Sequence, residues 1–291
     1  MSIQILRKSP ASIAALFTLL YLASPFSATA QVPVGSPPPT YDFVPGEPGT
    51  QPPPALGGPF TARELFTFSL RVVVLVPLAQ LQALLPPGFV ATPFPAGSDT
   101  AFVNLQFNNQ TRLERPGTGP GSGTFGPSGT FQIDTRITNP DNVAEGFFQL
   151  VHLVSDATLV PLRNRILGPG SSSAARFKFE MEDEEGSLRI KARVRHDGLG
   201  LDVKADATGP SAFANRFGGG LARSRFQNQD SPTTANPQIL TVVHGDNAGA
   251  QPPENVRLNA TQLQLPGGTL DVIGVGGFTF IRNLETFYRI P

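Results

Sequence analysis

A run of three serines and three dispersed histidines are the side chains of this sequence that could serve as nucleophiles, bases or metal ligands. The serines occupy positions 171–173, but no GxSxG or SxxK motif surrounds them and no base lies beside them in the chain. His152, His196 and His244 are far apart, and none has a neighbour at the spacing of a zinc site. The sequence therefore predicts neither serine hydrolase chemistry nor a bound metal.

Two other strings match ligand-binding loops only in part. The string GSGTFG at 121–126 fits the GxGxxG pattern, but a Gly- and Pro-rich run surrounds it and no strand or helix pattern flanks it. The acidic run at 182–185 lacks the spaced Asp and Asn ligands of a calcium loop. We therefore predict a flexible loop at the first string and a solvated turn at the second, and no cofactor.

The segments that must position these residues have the pattern of strands. Beyond position 60, short runs rich in Val, Phe and Thr are separated by Gly, Pro and Asp. We predict strands at 66–76, 101–107, 130–138, 147–155, 238–244, 256–265, 269–275 and 278–290, with a three-stranded meander over 175–208. Pro77 and Asp156 each open one short helix. The fold class is therefore mainly β, with mostly antiparallel strands in a barrel or sandwich.

The meander is the clearest of these patterns, because apolar and charged residues alternate along each strand. Charges of opposite sign face each other across its first hairpin. Lys178, Lys191 and Lys204 are the lysines beyond the first thirty residues, and each follows an apolar residue in this alternation. We therefore expect all three on the solvent-exposed face.

The first thirty residues have the pattern of a cleavable secretory signal. Arg7 and Lys8 precede an apolar stretch at 11–23, which is too short to span a bilayer. Ala28 and Ala30 then supply the small residues of a cleavage site before Gln31. The sequence therefore predicts a secreted or periplasmic protein without a stable membrane span.

The mature chain divides into a linker at 31–59 and a β domain at 60–291. The linker holds ten of the chain's 30 prolines, which favour an extended conformation. Signal removal takes away two of the 22 basic residues and none of the 22 acidic ones, so the mature chain is slightly acidic. This charge argues against a nucleic-acid partner. The absence of cysteine excludes disulfides.

Five segments of the domain together resemble the acetoacetate decarboxylase-like superfamily: VPLAQLQALLPPGFV at 76–90, the strand AFVNLQF, the stretch at 146–168, the hairpin that starts the meander, and the closing strands at 265–290. The resemblance implies a distorted antiparallel β barrel or cone, with one or two short helices, around a ligand cavity.

Members of this family use a lysine that forms a Schiff base with a β-keto acid, and the lysine lies in a Gly-x-Pro-Lys-Lys-like string before the hairpin. Here Ser171 and Ser172 occupy the two lysine positions, and a hydroxyl cannot form an imine. The string that corresponds to the family's pocket glutamate, TFQIDTRIT, offers Asp134 and Arg136 instead.

Three functions follow as hypotheses. The first is a binding protein for a small, partly apolar ligand with a keto or carboxyl group, in which Arg136 pairs with a carboxylate and Ser171 and Ser172 donate hydrogen bonds. The second is a lyase that decarboxylates a β-keto acid through a relocated lysine. The third is a structural surface domain without a ligand. The replacement of both lysines by serine favours the first.

Overall fold

The computed structural model describes residues 62–115, 123–138, 145–167, 172–184, 187–208, 215–217, 223–227 and 239–289. The predicted signal at 1–30, the predicted linker at 31–59 and Ser171 lie outside these residues. Within the described ranges, no helix is long and apolar enough to span a membrane.

Strands dominate the described chain, as the sequence predicts. They are β1 Ala62–Pro77, β2 Val90–Ala91, β3 Thr100–Arg115, β4 Gly123–Phe125, β5 Ser128–Thr138, β6 Glu145–Val154, β7 Ser173–Ala174, β8 Arg176–Glu184, β9 Ser187–His196, β10 Leu199–Thr208, β11 Asn215–Phe217, β12 Arg223–Gln227, β13 Ile239–Gln251, β14 Val256–Leu258, β15 Gln262–Leu265, β16 Gly268–Asp271 and β17 Gly274–Arg289. The helices are α1 Leu78–Leu84 and α2 Val160–Leu167, with short 3-10 turns at Ala157–Leu159 and Pro253–Asn255.

The largest sheet has the strand order β2-β5-β3-β1-β17-β13-β12-β6-β7, and β6 also pairs with β5. The strand β12 contacts β6 over 146–149 only, so the sheet curves back on itself without forming a complete barrel wall. The pairings of β6 with β12 and with β7 are parallel. The mainly β fold with mostly antiparallel strands is therefore confirmed, and the largest sheet is mixed because the short strands β7 and β12 return beside β6.

The core lies between this sheet and a second sheet of order β14-β10-β9-β8. Alternation turns Leu70, Val72 and Val74 of β1 towards the core, together with the apolar residues of β9 and β10. These side chains form one apolar cluster that includes both sheets. The predicted meander and its inward face are therefore confirmed.

Both predicted helices are present. Pro77 is the N-cap of α1, and the helix ends at Leu84, with Leu85 as its C-cap immediately before the proline pair. Asp156 caps the turn that leads into α2, because its carboxylate accepts a hydrogen bond of 2.9 Å from the backbone N–H of Thr158.

Several details differ from the predicted elements. The strand β3 continues well beyond position 107, to Arg115, because it pairs with β1 along its whole length. The predicted strand at 256–265 is split into β14 and β15, where the Asn259 side chain turns to hydrogen-bond Asp202. The expected loop at 121–126 contains the strand β4, which pairs with the end of β3.

Candidate functional site

The large sheet has a second buried face, and this face is polar. Along β3, the amides of four alternate residues point away from the apolar core; they are Asn104, Gln106, Asn108 and Gln110. On β5, Thr130, Gln132 and Asp134 continue the same face, and all three are buried. Buried polar side chains need hydrogen-bond partners, which protein, water or a ligand can supply.

Four residues of this face lie in one row across neighbouring strands. Arg71 of β1 is opposite Gln106, Gln106 is opposite Gln132, and Gln132 is opposite His152 of β6. Because paired residues have Cα atoms about 5 Å apart, the row extends for roughly 15 Å. It carries a cationic side chain at one end and an imidazole at the other.

A buried carboxylate lies beside this row. Asp134 is 1% exposed. It accepts hydrogen bonds of 2.8 Å from Asn104 Nδ2 and 2.5 Å from Gln106 Nε2. Buried carboxylates need such donors, because desolvation is otherwise costly. These hydrogen bonds therefore fix the orientation of Asp134 and of the two amide side chains.

Four buried polar atoms of this face have no hydrogen-bond partner among the described residues. They are Ser69 Oγ, Arg71 Nε, Asn108 Oδ1 and Gln149 Oε1. Each such atom costs about 1–3 kcal/mol when it stays unsatisfied. Native proteins keep few of these groups, so four on one face indicate a surface that water or a ligand completes.

Arg71 is the residue of this face that the sequence analysis missed. Its side chain is half-buried, and no carboxylate of the described residues lies within ion-pair distance of it. The sequence does distinguish this residue, since Arg71 is the one charged residue in the apolar run FTFSLRVVVLV. A partly desolvated guanidinium without a counter-charge is suited to bind a carboxylate.

Ser172 lies at the other end of the row. Its hydroxyl is 2.6 Å from Nδ1 of His152, and both side chains are buried. The backbone N–H of Ser172 donates a hydrogen bond of 2.7 Å to Asn164 Oδ1 of α2. The chain that follows α2 returns as β7 beside β6, and this parallel pairing brings the serine to the histidine.

The helix α2 is attached to the sheet by a buried ion pair. Arg163 pairs with Glu64 and donates a hydrogen bond of 2.8 Å to Gln110 Oε1. Arg163 is 2% exposed and Glu64 is fully buried. This ion pair fixes the position of the helix, and therefore of Asn164, which accepts the hydrogen bond from Ser172.

The predicted site residues do not come together as one cluster. Arg136 is half-buried on β5, four residues beyond Gln132, which is roughly 13 Å along the strand. Ser172, by contrast, lies beside His152, the residue opposite Gln132. Ser171 is outside the described residues. Arg136 and Ser172 therefore do not lie side by side.

The three lysines lie on the outer face of the second sheet, as the alternation predicts. The side chains of Lys178 and Lys191 are 63% and 41% exposed, and both form ion pairs with Glu180. The hydrogen bond from Lys178, followed by that from Lys191, lowers the pKa of the Glu180 carboxyl. Lys204 is also exposed. The core separates these amines from the polar face.

A pocket of about 380 Å³ borders the site. His152 and Ser173 line it on one side, and the turn between β9 and β10 lines it on the other. The leucines of the pocket are Leu150, Leu153, Leu199 and Leu265. Among the described residues, no group of His, Asp or Glu is arranged to hold a metal ion.

No protein family model and no curated protein matches the sequence. Solved structures with a similar fold include acetoacetate decarboxylase from Legionella pneumophila, at 13% identity and a TM-score of 0.46, covering 79% of this chain and 85% of that one. The enduracididine biosynthesis enzyme MppR is similar at 14% identity and a TM-score of 0.47, covering 89% and 98%. An acetoacetate decarboxylase-like enzyme from Sphingomonas wittichii is similar at 12% identity and a TM-score of 0.41, covering 78% and 90%. These are similarities of fold, and no activity follows from them.

Proposed function

We propose that this protein binds a small carboxylic or keto-carboxylic acid against the polar face of its large sheet, without forming a Schiff base. Arg71 holds the carboxylate of the ligand through charge-assisted hydrogen bonds. The Ser69 hydroxyl of the same face donates to a remaining oxygen of the ligand, whereas the amide oxygens of Asn108 and Gln149 accept hydrogen bonds from water.

The observation that carries the proposal is the half-buried guanidinium of Arg71 beside buried polar atoms that have no partner among the described residues. A purely structural domain gains stability when such groups are replaced by apolar ones. A binding protein needs them, because a ligand with complementary polar atoms gains affinity from each. The polar face therefore favours ligand binding over a structural role.

The positions of the lysines support binding without imine chemistry. Schiff-base catalysis requires a neutral primary amine next to the substrate ketone. Lys178 and Lys191 form ion pairs on the outer face, and Lys204 is exposed on the same sheet. Ser172, at the position that the family resemblance gives to a lysine, offers a hydroxyl.

A thermal-shift comparison of matched ligand pairs tests this proposal. Pyruvate, acetoacetate and acetate are each compared with a neutral analogue of the same size, namely pyruvamide, acetoacetamide and acetamide. We expect at least one acid to raise the melting temperature in a concentration-dependent manner and its amide to leave it unchanged. Equal shifts with acid and amide, or no shift with any of them, contradict the assignment of an anion site.

We also propose that the protein functions after export, on the strength of the signal-like pattern at 1–30. Mass spectrometry of the mature protein tests this, since its N-terminus should lie at or within a few residues of Gln31. Recovery of the full-length chain from the membrane fraction contradicts it.

A further inference from the structure

We infer that Ser172 and His152 form a nucleophile and general-base pair that accepts an acyl group from an ester. The pair lies at the end of the polar row opposite Arg71, and the inference does not rest on ligand binding at Arg71. Its basis is the distance of 2.6 Å between Ser172 Oγ and His152 Nδ1. The sequence shows no base near the serine run, because the base comes from β6, twenty residues earlier in the chain.

The geometry of the pair is fixed from three directions. His152 lies within β6, between its pairing with β5 and the parallel strand β7. The backbone N–H of Ser172 is held by Asn164 at 2.7 Å. The helix that carries Asn164 is anchored through the buried Arg163. A nucleophile whose base is already aligned needs little reorganisation before attack.

The adjoining pocket indicates the substrate class. Its volume of about 380 Å³ falls within the range of small-molecule sites, and His152 lies in its wall. The lining combines leucines with the polar residues His196, Asp197 and Gln264. The pocket volume therefore points to an ester of a small carboxylic acid.

The chemistry is that of acyl transfer. With the ring proton on Nε2, Nδ1 of His152 accepts the proton of the Ser172 hydroxyl while Oγ attacks the ester carbonyl carbon. The carbonyl reforms as the bond to the alkoxy oxygen breaks, and His152 returns the proton to the departing alcohol. Water then attacks the acyl-serine by the same route, so that one ester and one water yield one acid and one alcohol.

Covalent labelling separates this role from a structural one, because a serine that only completes a buried hydrogen bond forms no adduct. The full chain is incubated with a small alkyl fluorophosphonate, digested and mapped by mass spectrometry. Hydrolysis of p-nitrophenyl acetate is followed in parallel. We expect one adduct per chain, on Ser172. The variant Ser172→Ala should lose both signals, whereas His152→Gln should slow them by about 100-fold or more.

Ser187→Ala is the matched control, since Ser187 lies at the start of β9 and, among the described residues, forms no hydrogen bond with a histidine. It should label and hydrolyse at the rate of the unaltered protein. An unaltered protein that forms no adduct, or forms it on Ser171 or Ser173, overturns the inference. If Ser172→Ala does not fold, the mapped adduct of the unaltered protein decides the question alone.

Discussion

Arg163 of α2 and Glu64 of β1 form an ion pair from which water is almost fully excluded, since their side chains are 2% and 0% exposed. Gln110 completes the group, because its amide nitrogen donates to Glu64 and its oxygen accepts from Arg163. The pair attaches the helix that precedes the serine run to the sheet that carries the polar face. Stability and site geometry are therefore linked through these two residues.

Removal of one partner should destabilise the protein strongly. Arg163→Met leaves the Glu64 carboxylate buried without its cation, which costs about 3–5 kcal/mol in comparable proteins. Urea denaturation measures the free energy of unfolding. The control Arg189→Met removes exposed ion pairs with Glu182 and Asp206 and should cause little change. Similar decreases in the free energy of unfolding in both variants would show that burial does not make the Arg163–Glu64 pair more important for stability than an exposed pair.

Gly277 should not tolerate a side chain. Its φ is +131°, and an added Cβ would lie 2.6 Å from the backbone oxygen of Gln251. Gly277→Ala should therefore lower the free energy of unfolding by more than about 1 kcal/mol. At Gly274, an added Cβ meets Leu75 at an ordinary 3.6 Å. Gly274→Ala should accordingly have a much smaller effect, and equal effects would contradict the local geometry of β17.

Asp202 should make stability depend on pH. Hydrogen bonds from Arg193, and secondly from Arg195, lower the pKa of the Asp202 carboxyl from its ordinary value of 3.8. A carboxyl with a lower pKa in the folded state stabilises that state above its unfolded pKa, and this contribution is lost as the pH falls through the folded value. Asp202→Asn should therefore lower the melting temperature at pH 7 and have less effect below about pH 4.

The turn residue Asp197 provides the control for this titration. Its side chain is 90% exposed, and Asp197→Asn should shift the melting temperature little at either pH. An Asp202→Asn effect that is the same at pH 7 and pH 3 would show that the carboxylate charge is not the stabilising feature.

The meander was predictable because short, neighbouring stretches of sequence determine its strands and turns. Alternation along β9 and β10 separates apolar from charged residues, and a single Asp-Gly turn joins the strands. The strands β7 and β12 were not predictable. Each is short, and each pairs in parallel with β6 across a long stretch of chain, so that no periodicity marks it.

The site was predictable only in part. The serine substitution in the decarboxylase-like string drew attention to Ser172, which does lie beside the polar row. The pairing of His152 with Ser172 was not predicted, because it depends on the return of the chain after α2. The polar face was also not predicted. Gln106 and Asp134 alternate with apolar residues, and that pattern ordinarily indicates a solvent-exposed face. Here the curvature of the sheet buries both faces.

Imine chemistry should be absent from the unaltered protein. Treatment with acetoacetate and borohydride should add no mass to any lysine peptide, and CO₂ release should not exceed the uncatalysed rate. Ser172→Lys would place an amine in a desolvated position, where the neutral nucleophilic form is favoured. An adduct gained in that variant would support the correspondence of Ser172 with the family's lysine. An adduct on Lys178, Lys191 or Lys204 in the unaltered protein would contradict the account.

The most direct measurement is an isothermal titration into the unaltered protein, Arg71→Gln and Arg257→Gln, with whichever of pyruvate, acetoacetate and acetate gives the largest thermal shift. Arg257 is an exposed arginine on β14 of the outer sheet, so it matches the charge change without touching the polar face. The account predicts saturable binding to the unaltered protein and to Arg257→Gln, and an affinity lower by at least about 10-fold in Arg71→Gln, because a hydrogen bond to a charged group is lost. Equal affinity in all three proteins would contradict it.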